Sequence, residues 1–485
     1  MTVATAGGAA RSAAVSDLER VTALFANPDL YTLLDGYPER DRTRGGRPQV
    51  YPDWLLVAYG VLRAIYRSAR AVDTAFKGPI VWELIRGLVR QQFPDDPSKW
   101  LPADPPSRTW YIKRKRKLAN LGLRPLQDAF MRSGVATAHE LGLLDPDGPG
   151  SLAHPDASRL IHCDGKAIKQ MFNGAPGDTR DVPVTNVETG EITIEQRPVR
   201  ADPDAKVHIT GDNRQIHGCK FWHAETRDSR TYSRVFLTVD HAPTEKGANN
   251  SEADIAIKNL LELAPHVEGA QGVLADTIFR GVHIGELVRS TGWVVINPVT
   301  AKTIDKKTRK RIEKQRFLRT ETFHDHDGRT EEVDIWIDGG RLVRIVHTDD
   351  GTPEAIPLER VGNLSRQNKS GEWRGYVEYD VPNPYGGAGR KIREPILQND
   401  TDAFNRPELI RQIPVGDPDY DRLIGRRSDA ESANRGIDDD LYLRRAASLG
   451  AAGQLFDLVC HAFGQNSIAR HRHGRRTPRP PAVAA

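Results

Sequence analysis

The alternation of apolar and polar residues divides the chain into helical and strand-forming parts. From residue 18 to about 150, apolar residues recur at the spacing of amphipathic helices. The clearest such stripe consists of Leu55, Leu56, Tyr59, Leu62 and Tyr66. Ser16, with Glu19 three residues later, is typical of a helix N-cap. We therefore expect a helical N-terminal region over residues 18–150.

From about residue 157, short apolar runs predict strands. They lie at 159–164, 216–225, 233–239, 271–276 and 293–298. The polar stretch from Thr226 to Thr231 separates the second run from the third and indicates a hairpin. Helical patterns begin near Asn250 and at Val282. This order predicts an α/β fold with a mixed five-stranded sheet and flanking helices, whose first part covers residues 155–301.

Residues 302–403 show a different, β-rich pattern. Val333, Ile335 and Ile337 alternate with polar residues before Asp338-Gly339-Gly340, which is typical of a hairpin. We expect an insertion that adds no strand to the main sheet. Its own apolar cluster is predicted around Trp336, Trp373 and Tyr376.

The predicted core resumes over residues 404–467 with a helical stretch. Its apolar stripe is Leu423, Ala430, Ala433, Ile437 and Leu441. Residues 1–17 and 468–485 are predicted to be disordered, and the second of these tails carries five arginines and no acidic residue.

Composition narrows the class of protein. The chain has 485 residues, 28% of them charged, and its longest apolar run, 54–62, is half the length of a membrane span. We therefore expect no membrane partner. The three cysteines show no paired spacing, which favours the reducing cytoplasm over a disulfide framework.

Two basic runs are candidates for contact with nucleic acid. Five consecutive cations, Lys113, Arg114, Lys115, Arg116 and Lys117, follow Trp110 and Tyr111. A second run lies at 306–311. Clustered cations bind phosphates, so both runs are predicted to line a DNA path. A solvated helix face is the alternative explanation.

Three acidic residues are candidate metal ligands. Asp164 and Asp276 each end an apolar strand, and Glu431 lies at the edge of the late helical stripe. Ligands gather at the carboxyl ends of strands in open α/β sheets, so adjacent parallel strands would make the two aspartates neighbours. We expect the three carboxylates to lie within about 8 Å of one another, close enough to share two divalent cations.

Each of these acids also has an ordinary explanation. Asp164 before Gly165 is typical of a turn, Asp276 of a hydrogen-bonded strand end, and Glu431 of a surface salt bridge. Asp429 is the rival third ligand, although it lies about 200° from Glu431 around the helix. The string from His324 to Asp327 has metal-binding residue types, but it precedes Gly328 in a polar stretch and is interpreted as a turn.

The acids also stand in longer motifs. The first is Asp164-Gly165-Lys166-Ala167-Ile168; the second is Ala275-Asp276 followed by Gly281, Ile284, Leu287, Gly292 and Asn297-Pro298; the third is Arg427 with Glu431, Asn434 and Leu441. Gly46-Arg47-Pro48 and Tyr51-Pro52 precede an apolar helix near the N-terminus. Together these strings resemble DDE transposases of bacterial insertion sequences, which have an RNase H-like catalytic core. The chain departs from related families at Ile424 and Asp438, where those families carry tyrosine and lysine.

The resemblance implies an enzyme that cleaves the ends of an insertion sequence and joins them to target DNA. Asp164, Asp276 and Glu431 would be the catalytic and metal-binding residues, holding two Mg²⁺ ions, for which Mn²⁺ can substitute. Further DNA contacts are implied for Lys166, Arg427, Asn434 and Arg435. A homodimer in the DNA complex and a nucleoid-associated place in the bacterial cytoplasm are also implied.

Two alternative functions stay open at this point. One is a DNA nuclease of the same fold that hydrolyses without joining. The other is a transposase-derived DNA-binding regulator that has lost catalysis, against which the three intact acids argue.

Overall fold

The computed structural model describes residues 15–38, 49–172, 174, 177–185, 189–209, 213–228, 230–243, 251–299, 315–398 and 404–476. The basic run at 306–311, the Gly46-Arg47-Pro48 motif, most of the first predicted tail and half of the second lie outside these residues. None of the described helices combines the length and hydrophobicity needed to cross a bilayer.

The described residues form twelve α-helices. They are α1 Asp17–Ala26, α2 Leu55–Ile65, α3 Ala69–Lys77, α4 Val81–Gln92, α5 Arg108–Leu121, α6 Arg124–Glu140, α7 Glu252–Leu263, α8 Gly281–Thr291, α9 Arg406–Leu409, α10 Pro418–Ile424, α11 Arg427–Asp440 and α12 Ala451–Arg476. The predicted cap of α1 is confirmed, because the Ser16 side chain accepts a hydrogen bond from the amide of Glu19 at 3.1 Å. Ser251 and Asp254 form a capping box that starts α7.

The same residues form fifteen strands. They are β1 Leu160–Lys169, β2 Thr179–Thr185, β3 Ile192–Pro198, β4 Lys206–Ile209, β5 Gln215–Thr226, β6 Val235–His241, β7 Gly272–Leu274, β8 Val294–Ile296, β9 Arg316–His324, β10 Thr330–Asp338, β11 Arg341–His347, β12 Pro353–Pro357, β13 Glu359–Gln367, β14 Trp373–Val381 and β15 Arg390–Pro395. All five predicted core strands are present, as β1, β5, β6, β7 and β8.

The main sheet is mixed, as predicted. On one side of β1 lies β5, antiparallel to it, and on the other lie β7 and then β8, both parallel. The outer edge of β5 pairs with β6 in the predicted hairpin and with the short strand β4. The sheet therefore has six strands rather than five, and the coarse α/β prediction is confirmed.

The N-terminal helices and the sheet share one hydrophobic cluster. It joins α2 residues such as Tyr59 to Phe221 on β5 and to Phe456 on α12. The central helix α12 is tightly packed on α2, since a Cβ added at Gly60 would overlap the Cys460 side chain. The helical region is thus continuous with the core that follows it.

The predicted start of a disordered tail at residue 468 is wrong. Helix α12 continues to Arg476, and its last turns are held by ion pairs. Arg470 contacts Asp29 at 3.1 Å, and Arg472 contacts Glu19 at 2.7 Å. The tail looks unstructured in sequence because its counter-charges lie more than 300 positions away.

The strands of the predicted insertion form two separate sheets. One has the order β12-β11-β10-β9 and the other β13-β14-β15, and neither pairs with the main sheet among the described residues. The apolar cluster predicted around Trp336, Trp373 and Tyr376 is misplaced. The buried residues are the adjacent ones, Ile335, Ile337, Val377 and Tyr379. They belong to one cluster with α7 and α8, because the faces opposite Trp336 and Tyr376 are the ones turned to the core. Trp373 is on the core-facing side of β14 and packs against Gly292, which follows α8.

Candidate active site

The register between β1 and β7 brings two of the predicted acids to the same level. Leu160 pairs with Gly272 and His162 with Leu274 in parallel. Two further residues along each chain lead to Asp164 and Asp276. Asp276 thus follows the carboxyl end of β7, and Asp164 occupies the equivalent position of the neighbouring strand β1.

Asp164 is not at the end of its strand, contrary to the prediction. β1 runs on to Lys169 while paired with β5, but β7 stops at Leu274. From Asp164 to Ile168, no described strand pairs with β1 on the β7 side. Among the described residues, β1 therefore has a strand partner on only one side at Asp164.

A polar chain of three residues orients Asp164. Asn434 on α11 donates from Nδ2 to Asp164 Oδ2 at 2.7 Å, and the Gly165 amide donates to Oδ1 at 2.8 Å. His223, directly opposite Asp164 on β5, lies with Nε2 3.1 Å from Asn434 Oδ1. Burial lowers the pKa of His223 to about 4, so the ring is neutral at pH 7. Since Asn434 Nδ2 is the donor to Asp164, its Oδ1 accepts, and His223 must carry its proton on Nε2.

Asp276 lies in the turn between β7 and α8. Its Oδ1 accepts from the amide of Ile278 at 2.8 Å, which fixes one oxygen of the carboxylate. The side chain is half-buried. This is the geometry of a short Asp turn that aims a carboxylate away from the end of a strand.

Glu431 is exposed on α11, the helix that packs beside β1. The predicted stripe of this stretch is confirmed, since Ala430, Ala433 and Ile437 are all buried. Asn434 lies one turn after Glu431 on the polar side of α11, and it donates the hydrogen bond to Asp164 on β1. Glu431 is thus on the helix that is tied directly to the first aspartate.

Two more contacts attach α11 to the sheet. Lys166 Nζ lies 2.6 Å from Asp438 Oδ2, so the lysine predicted to contact DNA has its charge matched inside the protein. Arg234 pairs with the fully buried Glu225 at 3.0 Å and also donates to Ser432, next to Glu431. Arg435 on the same helix is exposed. The side chains of Arg427 and Asp429 lie outside the part of the chain that the structure describes.

A fourth acid near β1, Glu252, is absent from the residues predicted from sequence. It is the first residue of α7, with 17% of its side chain exposed, and it forms an ion pair with Lys220 on β5. Burial raises the pKa of Glu252, the Lys220 ammonium opposes that rise, and the charge of Asp276 adds to it. In the sequence, the only notable feature of Glu252 is that it follows the helix cap at Ser251. Acids are common at the starts of helices, so this position does not distinguish Glu252 from other acids.

The basic run on α5 does not form one surface, which corrects the prediction for Lys115. Lys113, Arg116 and Lys117 are exposed on one face of the helix. Arg114 is half-buried and pairs with Asp53. Lys115 is 7% exposed and pairs with the buried Asp457 on α12. Three of the five cations are therefore available to phosphates as a solvent-facing group.

The donor set fits a hard divalent cation. Asp164, Asp276, Glu252 and Glu431 offer only carboxylate oxygens, which Mg²⁺ and Mn²⁺ prefer. Among the described residues, only Asp325, His326 and Asp327 have ligand atoms all within 4.8 Å of one another. The Asp325 carboxylate accepts from the amides of Asp327 and Arg329, so that group is the predicted turn. No three of the acids Asp164, Asp276, Glu252 and Glu431 form such a group in the described part of the chain.

A scan of the chain against protein-family models found no match, and a search among curated proteins found none either.

Proposed function

We propose that the chain is a DDE transposase with an RNase H-like core, and that Asp164, Asp276 and Glu431 are its catalytic carboxylates. The observation that carries the proposal is the parallel pairing of β1 with β7, because Asp164 and Asp276 each come two positions after the last paired residues, His162 and Leu274. The helix that carries Glu431 is tied to Asp164 through Asn434. Two of the three acids thus follow paired stretches of neighbouring strands, and the third lies on the helix that is bonded to the first.

The topology supports the same proposal. An antiparallel hairpin lies on one side of β1 and two parallel strands lie on the other. The β-rich sheets are formed between β8 and the helix that bears Glu431, so they interrupt the sequence of the core without interrupting its sheet. This is the arrangement expected for an RNase H-like core with an insertion before the glutamate.

The carboxylates would hold two divalent cations. When bound, such cations activate water and stabilise the attacking and leaving oxygens of an in-line phosphoryl transfer. Asn434 keeps the Asp164 carboxylate oriented, and His223 keeps Asn434 oriented. The exposed cations of α5, Lys113, Arg116 and Lys117, would contact the DNA backbone and position it.

The proposal is tested by DNA cleavage and joining. The substrate is a labelled duplex that carries the DNA flanking the gene, incubated with a target plasmid in Mg²⁺ or in Ca²⁺. Asp276→Asn keeps the shape of the side chain and removes its charge. We expect Asp276→Asn to reduce the cleavage rate by more than about a hundredfold, because loss of a direct metal ligand should cost more than loss of a residue that only holds a ligand in place. DNA binding should be unchanged.

Asp439→Asn is the matched control, since Asp439 is an exposed acid on α11. This variant should cleave as the unaltered protein does. Full activity of Asp276→Asn would refute the carboxylate site. Cleavage without joining would identify the nuclease alternative, and binding without cleavage by the unaltered protein would identify the inactive regulator. Terminal inverted repeats beside the gene would support the transposase.

A further inference from the structure

A second buried histidine lies near the polar chain that orients Asp164. His461 is on α12 and is 5% exposed, and its Nδ1 lies 2.7 Å from Asp440 Oδ2. Asp440 is the last residue of α11, the helix that also carries Asn434. Because the carboxylate is an acceptor, His461 carries a proton on Nδ1, and in the neutral ring its Nε2 is then an acceptor.

His223 and His461 border the same small cavity. The cavity has a volume of about 10 Å³ and lies between the main sheet and helices α11 and α12. Both imidazole rings contact the ring of Phe236, with centroid separations of 5.6 Å and 5.9 Å. Asp440 lines a neighbouring cavity, which His461 also borders. The Nδ1 edge of His461 is thus turned to that neighbouring cavity, and the rest of the ring faces the cavity shared with His223.

Two ring nitrogens have no hydrogen-bond partner within the described part of the chain. They are His223 Nδ1 and His461 Nε2, and both atoms are shielded from solvent. Since His223 donates from Nε2 to Asn434, its Nδ1 is an acceptor, as His461 Nε2 is. Two acceptors do not bond to each other, and a buried polar atom without a partner costs free energy. A molecule with two O–H donors would satisfy both nitrogens.

We propose that a buried water molecule donates one hydrogen bond to His223 Nδ1 and one to His461 Nε2, and that His461 is thereby a positioning residue for Asp164. A cavity of about 10 Å³ has room for one water, and two polar partners are enough to hold it. The inference rests on the proposed function, because Asp164 is one of the proposed catalytic carboxylates.

The water completes a hydrogen-bonded chain that holds α11 at two points. The chain runs from Asp164 through Asn434, His223, the water and His461 to Asp440. Asn434 and Asp440 both belong to α11, so one end of the chain ties this helix to the sheet and the other end ties it to α12. The helix that carries Glu431 is therefore fixed relative to Asp164.

A contact between His461 and Asp440 that only stabilises the fold is the competing explanation. Two substitutions separate the explanations, because asparagine places its amide near the position of Nδ1 and glutamine places its amide near the position of Nε2. His461→Asn keeps a donor for Asp440 and loses the group that meets the water. His461→Gln does the opposite. If the water matters, His461→Asn has the lower cleavage rate; if only the contact with Asp440 matters, His461→Gln has it.

The experiment combines cleavage kinetics with a high-resolution crystal structure of the unaltered full chain. The structure should show a water peak within about 3.2 Å of both nitrogens. With a labelled duplex of the flanking DNA and Mg²⁺, His461→Asn should lower kcat by about three- to tenfold, below the usual effect of residues that contact a metal ligand directly. KM for DNA should be unchanged, because the exposed cations are unaltered. His471→Asn is the matched control on α12 and should change neither constant.

The outcomes separate this inference from the proposed function. Cleavage by the unaltered protein without a water peak between the two nitrogens would overturn the inference and leave the carboxylate site standing. A lower kcat for His461→Gln than for His461→Asn would do the same. A lower melting temperature in both variants with unchanged kcat would show a role in stability alone and would also overturn the inference. No cleavage by the unaltered protein would refute the proposed function, and the positioning role with it.

Discussion

Lys115 gives the sharpest test of how this chain uses its basic residues. It lies between exposed cations on α5, yet its ammonium contacts the carboxylate of Asp457 and the hydroxyl of Ser448 inside the protein. Arg63 Nε lies 3.4 Å from the same Asp457 oxygen. Burial alone would raise the pKa of Asp457, and the two cations hold it below its ordinary value. Lys115 therefore stabilises the junction of α5 and α12.

The change Lys115→Met keeps most of the aliphatic stem and removes the charge. Removing one partner of a buried pair costs about 3–5 kcal/mol when the other charge is left alone. Here Arg63 stays beside Asp457, so we expect the lower end, about 3 kcal/mol. Unfolding entropy of about 2.1 cal/mol/K per residue gives about 1 kcal/mol/K for 485 residues, and hence a melting temperature about 3 °C lower.

The assay pairs thermal melting with DNA binding at several salt concentrations. Lys117→Met is the matched control, because Lys117 is exposed two positions away. Lys115→Met should lower the melting temperature and leave the salt dependence of binding unchanged. Lys117→Met should leave the melting temperature unchanged and reduce the salt dependence of binding. A wild-type melting temperature for Lys115→Met, together with a reduced salt dependence, would refute the assignment of Lys115 to the core.

Two further predictions concern charge and pH. Replacing Lys113, Arg116 and Lys117 together by glutamine should weaken binding to all DNA sequences, and should lower the slope of log K against log salt by about 0.9 for each lost phosphate contact. An unchanged slope would mean that these cations form only a solvated surface. His162 is fully buried, and burial, with nearby arginine charges, lowers its pKa to about 3. Because the unfolded histidine takes up its proton near pH 6.5, stability should fall below that pH by about 1.4 kcal/mol per unit. In urea denaturation measured between pH 7 and 5, His162→Gln should remove this pH dependence of the free energy of unfolding. The same pH dependence in the variant and the unaltered protein would contradict the prediction. An equal change in the control His266→Gln, which alters an exposed histidine, would also contradict it.

Local patterns identified most of the elements that build the sheet. Each core strand is a short apolar run between polar or glycine-containing stretches, and the structure places a strand within or close to each predicted range. The stripe on α11 and the Ser16 cap were also predictable, since both depend on residues three or four positions apart. Such features are determined by neighbours in sequence.

Other features of the fold depend on contacts between residues far apart in sequence, which local patterns do not reveal. The misplaced cluster near Trp336 shows one limit, because alternation reveals two faces of a strand but not which face meets the core. Lys115 and its neighbours are equally basic in sequence, and the carboxylate that makes Lys115 a core residue lies 342 positions away. Helix α12 extends to Arg476 for the same reason, through contacts with α1.

The candidate site also combines features that are predictable from local sequence with features that depend on the tertiary structure. The sequence by itself determined that Asp164 and Asp276 follow apolar runs and that Glu431 borders an apolar stripe, because those facts concern only adjacent residues. Only the tertiary structure decided that β7 pairs with β1 in the register His162 to Leu274, and that β1 continues beyond the last residue paired with β7. It alone brought Glu252 against Gly165 and Asn434 onto Asp164, since helix packing on opposite faces of a sheet sets those distances and no local pattern specifies them.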